Sequence, residues 1–404
     1  MNSVINKNSY FEFDKTTGTI IKYNSFGETH LIIPREIEGV AVKNIGQGAF
    51  KQCNELKFID IQEGIENIRK GAFAYCENLE YINISEGVKL IGENAFLYCE
   101  KLKFIIIPER TEEIRDCAFS GCKKLKNISM PEGVNYIGED VFSNCISLTS
   151  ISMAKNIGIY EGLFYGCINL ESINIDDLDE NYRSKDGVLF SKDLKTLILY
   201  PLGKKGNYII PDSVEKIEDR AFKGCIGLTS ISIPDSVEKI GEGAFKGCKG
   251  LTSMSISAGV EYIERYAFEK CGGLDNIEVD DLNTNYKSKD GVLFSKDFKN
   301  LIYCPVGKKG EYKVENEVEY IGERAFKDCK NITSISISKN IMCIEYNSFE
   351  GCNMLKDIYY GGSEEQWDIL KENTKCLKNI PSLVYTTNLY LNSDVVVHYN
   401  VSQE

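Results

Sequence analysis

Residues 221–245 read Ala-Phe-Lys-Gly-Cys-Ile-Gly-Leu-Thr-Ser-Ile-Ser-Ile-Pro-Asp-Ser-Val-Glu-Lys-Ile-Gly-Glu-Gly-Ala-Phe. Ile231 and Ile233 alternate with Ser230 and Ser232, which is the pattern of a short strand with one buried face. Pro234 ends that strand. Val237 and Ile240 then mark a second short extended piece, closed by Gly241. The segment begins and ends on the same dipeptide, Ala221-Phe222 and Ala244-Phe245. It is therefore one period of a repeat, and the period decides the architecture.

Working outward, the same Phe position recurs at Phe50, Phe73, Phe96, Phe119, Phe142, Phe164, Phe222, Phe245, Phe268, Phe326 and Phe349. Most intervals are 23 residues; one is 22, and two are 58, which is 23 plus 35. Each Phe is followed by Cys at +3, by Leu (once Ile) at +6 and by apolar residues at +9 and +11. The Ala-Phe-x-x-Cys piece reads as a tight helical turn that buries all three named residues. One unit cannot enclose its own apolar side chains, whereas stacked units bury them in a continuous column. Strands of adjacent coils then lie about 4.8 Å apart in a long parallel sheet.

Composition supports a folded, soluble chain. Of 404 residues, 43% are hydrophobic, enough for a sizeable core. The balance of 47 Lys+Arg against 60 Asp+Glu gives a net charge of -13. That disfavours nucleic acid and anionic membrane as partners, since both need a basic face. No stretch approaches the roughly 20 apolar residues of a membrane span. Residues 1–14 lack the charged-then-apolar order of a secretory signal.

The repeat Leu-x-x-Ile-x-Ile-Pro-x-x-Val-x-x-Ile-Gly-x-x-Ala-Phe-x-x-Cys resembles the leucine-rich repeats of the BspA-like family, over roughly residues 10–372. The resemblance implies an α/β, β-rich leucine-rich-repeat solenoid with a right-handed superhelix and a parallel sheet on its concave face. It also implies a bacterial, sometimes protist, surface protein that binds host proteins or other cells. The cell surface or secretion is thus the expected location. The absence of a signal in this sequence makes the cytoplasm the alternative.

The expected division is an N-terminal β cap over 1–42, a repeat array over 43–360 and a C-terminal cap and tail over 361–404. Residues 10–42 lack the Cys and Leu positions but carry Phe11, Phe13, Ile20, Ile21, Tyr23 and Leu31–Ile33, and read as a β-hairpin on the first coil. Two inserts lie at about 176–211 and 280–315, and within them Tyr182–Tyr208 and Tyr286–Tyr312 repeat each other almost residue for residue, 104 positions apart. Each reads as a hairpin excursion; in the first, strands cover 188–191 and 196–200. At the far end, Ser363 and Gln366 form a capping box for a short helix. Trp367, the single Trp, is expected to cover the last coil. Residues 383–390 and 395–399 read as a final hairpin.

No catalytic constellation is visible. The only His residues are His30 and His398, which removes most His-based chemistry. Eleven of the fifteen Cys belong to the repeat, and no Cys-x-x-Cys pair exists. Equivalent Cys residues in stacked coils point their Cβ bonds in parallel, a poor geometry for disulfides. Buried structural thiols are the preferred reading over disulfides or metal. Asp177-x-Asp179-x-Asn181 and its copy at Asp281 imitate the start of a calcium loop, but Val188 and Val292 occupy the position that needs Glu. Plain Asx turns are preferred. Neither metal nor cofactor is expected, and an enzyme site at Asp186 or Asp290 in the inserts is the weakest hypothesis.

What remains is surface shape. Positions +8 and +10 after each Phe point outward on the sheet. Most coils place Ser or Asn there, as at Ser150/Ser152 and Ser230/Ser232. The first coils instead give Phe58/Asp60, Tyr81/Asn83 and Phe104/Ile106. Phe58, Tyr81, Phe104 and Ile106 are therefore the candidate partner-binding residues, with cover by the N-terminal hairpin or by a second copy as the competing reading. The expected function is a non-enzymatic, adhesin-like binding module for a host extracellular-matrix or cell-surface protein, or a glycan. The alternative is an intracellular scaffold or exported effector.

Overall fold

The computed structural model describes residues 10–160, 162–373, 388–391 and 395–398. By its contacts the chain divides into two units: residues 1–193 with 201–204, and residues 194–200 with 205–404. Each is a β-solenoid of stacked parallel strands, built on two ladders.

In the first unit, a ladder of short strands runs through Thr19–Tyr23, Asn44–Ile45, Asn67–Ile68, Leu90–Ile91, Glu113–Ile114 and Tyr136–Ile137, each parallel to the next. Phe11–Asp14 pairs antiparallel on its first strand. The other ladder starts at His30–Ile33, which pairs in parallel with Phe58–Ile61, and that strand pairs with Tyr81–Asn83. A single bridge joins Tyr81 to Phe104. Asn127–Ser129, Ser150–Met153 and Ser172–Ile175 continue the pattern. The register is set by the repeat: Ile59 faces Ile82, and Ile128 faces Ile151. All four are buried.

The core is the column read from the sequence. Phe50, Phe73, Phe96, Phe119 and Phe142 are fully buried, and successive rings stack at 5.0, 5.2, 5.4 and 5.9 Å. Fully burying one such side chain contributes about 1.5–3 kcal/mol. The ladder thiols donate to the carbonyl of the Phe one coil back, as in Cys76 to Phe50 (3.0 Å), Cys99 to Phe73 (3.2 Å) and Cys145 to Phe119 (3.2 Å). This bond uses the thiol proton, which a disulfide lacks. The fourteen described cysteines are free. Burial pushes the Cys53 thiol up to about 11 and that of Cys76 to about 12.

The second unit repeats this arrangement. Its longer strands are Gly206–Ile209, Leu228–Ser232, Ser253–Ile256 and Asn276–Val279, and then Lys309–Lys313, Asn331–Ile337, Asp357–Tyr360 and Asn388–Leu391. Val395–His398 closes the last of them antiparallel; residues 383–387 and 399 of the expected final hairpin lie outside the described residues. The helix Glu364–Asn373 begins with the expected reciprocal cap. The Ser363 N–H donates to Gln366 Oε1 (3.0 Å), and the Gln366 N–H donates to Ser363 Oγ (3.3 Å). Trp367 is buried against Tyr360 at 5.2 Å.

The inserts are more than excursions. In the second copy, Tyr286–Lys289 and Val292–Ser295 pair antiparallel. Asn300–Tyr303 then pairs antiparallel with Val292–Ser295 on one side and parallel with Tyr320–Ile321 on the other. The third strand is thus itself a rung of the short ladder. In the first copy, Thr196–Leu199 likewise pairs parallel with Lys216–Ile217. The Phe place in these rungs is taken by Tyr200, stacked on Phe222 at 4.9 Å, and by Cys304.

Candidate functional site

The outward side chains of the first unit's long ladder form two columns. The first is His30, Phe58, Tyr81 and Phe104; the second is Ile32, Asp60, Asn83 and Ile106. Strand alternation produces this: Leu31, Ile33, Ile59, Ile61 and Ile82 point inward and are buried, so their neighbours point out. Phe58, Tyr81, Phe104 and Ile106 are 39%, 41%, 52% and 61% exposed. Within residues 10–42, His30 lies against Phe58 but leaves it partly exposed.

The structure brings three of the four candidates together directly. Phe58 and Tyr81 lie in register, their rings stacked 5.6 Å apart with an interplanar angle of 4°. Tyr81 is bridged to Phe104 through the backbone. Ile106 belongs to the second column, beside Asn83. The His30 ring meets Phe58 edge-on at 6.1 Å, and its Nε2 lies 3.4 Å from Asp60 Oδ2. At the strand's entry, Lys103 Nζ sits 5.4 Å from the Tyr81 ring centre and donates to Glu80 (2.5 Å), a bond that raises the lysine pKa.

His30 and Ile32 were not among the candidates. The signal was present: Leu31-x-Ile33-Pro34 copies the Ile-x-Ile-Pro of Ile231–Pro234, without the Cys and Leu that normally precede it. His30–Ile33 is therefore a degenerate first coil as well as a cap. The apolar stripe is one strand wider than the repeat pattern predicts, with Ile32 49% exposed.

The other candidates for chemistry resolve into backbone roles. Asp179 Oδ1 accepts the N–H groups of Asn181 and Tyr182, at 2.8 and 2.7 Å, and the Lys192 ammonium donates to the carbonyls of Asp177 and Asp179. The second copy matches, with Asn283 in place of Asp179 and Lys296 in place of Lys192. These are Asx turns that already hold an ammonium. Asp186-Gly187 and Asp290-Gly291 have φ of 51° and 76°, and of 49° and 74°, between paired antiparallel strands. That is the two-residue hairpin turn with both central residues left-handed. No group of three His, Cys, Asp or Glu that could hold a metal occurs among the described residues.

The model of the BspA type leucine rich repeat region (6 copies) matches residues 5–103, 89–199, 204–306 and 309–383. The chain belongs to this family. The matched spans run through the repeats and most of both inserts. Solved structures agree on the fold. A leucine-rich cell surface protein from Faecalibacterium prausnitzii A2-165 is 26% identical, over 89% of this chain and 95% of that chain, with a TM-score of 0.55. A leucine-rich repeat protein from Bacteroides ovatus ATCC 8483 is 24% identical, over 94% and 97%, with a TM-score of 0.52. The pneumococcal vaccine antigen PcpA is 19% identical, over 93% and 92%, with a TM-score of 0.54. At these identities the last two show a shared fold alone. No curated protein matches the chain. No described helix is long and apolar enough to cross a membrane.

Proposed function

We propose that this BspA-type chain is a non-enzymatic, protein-binding repeat module of the cell-surface, adhesin-like kind, and that the stripe Phe58–Tyr81–Phe104–Ile106, widened by Ile32, is where it binds. In this reading the stripe lies on the concave side of a right-handed coil, with residues 1–42 and 361–404 closing a 43–360 array. The observation that carries it is the contrast along one face. Large apolar side chains stand exposed in adjacent strands, while the coils from Asn127 to Asn174 present only Ser and Asn at the same two positions. Exposed apolar patches mark interaction sites, and aromatic residues anchor interfaces.

The geometry favours a protein over a glycan. The facing sides of Phe58 and Tyr81 cover one another, so this pair offers edges outward rather than the open ring faces on which sugars stack. Apolar side chains of a partner protein fit such a surface.

The test is the double substitution Tyr81→Ser with Phe104→Ser, which copies the later coils. Wild type and variant serve as bait against host matrix proteins and bacterial surface extracts. The expected variant keeps its thermal midpoint within about 2 °C and loses the captured protein. A sharp fall in midpoint with capture per folded molecule unchanged refutes the assignment.

A further inference from the structure

The turns that carry the Phe column are tied to one another by a fixed set of backbone bonds. In the second unit, the N–H groups of Arg220, Phe222 and Gly224 donate to the carbonyls of Glu242, Ala244 and Lys246 at 2.8–2.9 Å. Those of Gly243, Phe245 and Gly247 donate to Arg265, Ala267 and Glu269 at 2.8–3.0 Å. Those of Arg324, Phe326 and Asp328 donate to Tyr346, Ser348 and Glu350 at 2.8–3.1 Å. The equivalent N–H groups of Tyr266, Phe268 and Lys270 reach no acceptor among the described residues. Across from them, Ala325 O accepts from the Cys304 N–H (2.7 Å), but among the described residues the carbonyls of Glu323 and Lys327 receive no backbone N–H.

The cause is in the sequence. After Phe268 the next rung is the insert, whose Ile302-Tyr303-Cys304-Pro305 replaces the Gly-x-x-Ala-Phe turn. Cys304 stands in the Phe place there, and Ile302 and Val306, in the places of the two flanking donors, give no N–H to Glu323 or Lys327 among the described residues. A cavity of about 220 Å³ remains, lined by Tyr266, Phe268, Lys270, Tyr303, Arg324 and Lys327, among others. Tyr303 is buried, and among the described residues neither its hydroxyl nor the buried Arg324 Nε, which lies 3.9 Å from Glu323 Oε1, has a hydrogen-bond partner. Buried polar groups in folded proteins are normally paired. Glu269 cannot serve them all, because Lys246 (2.6 Å), Lys327 (3.1 Å) and Arg324 (3.3 Å) already surround its carboxylate.

We infer that this cavity binds a short peptide of about dipeptide size, which supplies the missing rung. Its carbonyl and carboxylate oxygens accept from the N–H groups of Tyr266, Phe268 and Lys270, and its own N–H groups donate to the carbonyls of Glu323 and Lys327. The volume lies below the ~300–1,000 Å³ of pockets for drug-sized ligands, which suits a guest of about dipeptide size. The three open N–H groups outnumber the two open carbonyls, which favours a guest carrying a carboxylate; the side chains around it are balanced, with Glu264, Glu323 and Glu345 lining the cavity as well as Arg324 and Lys327. A simple anion could meet the donors but would leave the two carbonyls unpaired.

The test is amide hydrogen exchange on the full chain, read in fragments covering residues 264–272. The probes are alanyl-alanine, an acidic and a basic dipeptide, and acetate. At ~10 mM, tenfold above a ~1 mM Kd, a bound dipeptide is expected to slow exchange at residues 266, 268 and 270 by about tenfold, with acetate giving less. Tyr303→Phe removes only the hydroxyl and retains the ring against Phe268; it should fold normally and reduce the protection. No protection by any dipeptide, or equal protection by acetate, overturns the inference. Full protection in Tyr303→Phe likewise overturns it, since a guest in this cavity would meet the Tyr303 hydroxyl. None of these results bears on the stripe in the first unit.

Discussion

Phe58 and Ile59 are neighbours in one strand, yet they belong to two surfaces under opposite constraints. Ile59 and its equivalents Ile82, Ile105 and Ile128 face the column and are all buried Ile. Phe58 and its equivalents, Tyr81, Phe104 and Asn127, face outward and pass from aromatic to polar within four coils. The inward side is fixed because each coil must match the coil before and after it. The outward side meets only solvent or a partner, so it is free to vary. In a repeat protein, departure from the period on the open face therefore marks where binding is to be tested, and departure in the column is the trace of a structural break.

The contrast is broken most severely from the inside. Phe96→Ala should remove a fully buried ring stacked between Phe73 and Phe119. The expected cost is about 3–5 kcal/mol, read as a fall in the urea midpoint of the first unit. A loss near zero would mean the column closes over the gap.

Next comes Glu269, which lies at the break in the column. Burial alone would raise its carboxyl, but the ammonium groups of Lys246 and Lys327 more than offset this and hold it below the usual range. A depressed carboxyl gives stability that is present above the unfolded value, about 4.3 for Glu, and is lost as pH falls through the folded value. Glu269→Gln should therefore cost about 1.5–3 kcal/mol at pH 7, and the difference from wild type should shrink below pH 4.3. A difference that stays constant from pH 7 to pH 3 would show that the carboxylate charge plays no part.

The thiols sharpen the comparison without changing stability. The buried ladder cysteines should react slowly with a thiol reagent at neutral pH, since burial raises their pKa. The half-buried Cys117 and Cys343 should react before them. Rapid labelling of Cys99 or Cys122 in folded protein would show that the column opens. The smallest stability effect belongs to the outward double substitution at Tyr81 and Phe104, where the thermal midpoint is expected to stay while binding is lost.

The period, the Phe column, the thiol role and the capping box were legible in the sequence because each depends on residues at fixed spacing. The outward stripe was legible for the same reason, as an exception to a known background. His30 and Ile32 escaped because their coil keeps only Leu31, Ile33 and Pro34 of the pattern. The third strand of each insert escaped because Tyr200 and Cys304 stand where the repeat has Phe. The Glu269 cluster could not be read, since its partners Arg324 and Lys327 lie 55 and 58 positions away, across an insert that breaks the spacing. Local pattern predicts what recurs, and the tertiary accidents at its interruptions remain outside it.

The two inserts, identical over much of their length and 104 positions apart, bear on how such a chain can change in evolution. Each pairs forward onto an ordinary rung, so insert and following coils form a cassette whose ends match those of its copy. Gly187-Val188-Leu189-Phe190 and Gly291-Val292-Leu293-Phe294 carry the same residues. Unequal recombination between them would add or remove one whole cassette and create no new junction for selection to repair. The surface area on offer to partners can then grow or shrink in heritable steps, while the rules that bury the column stay untouched.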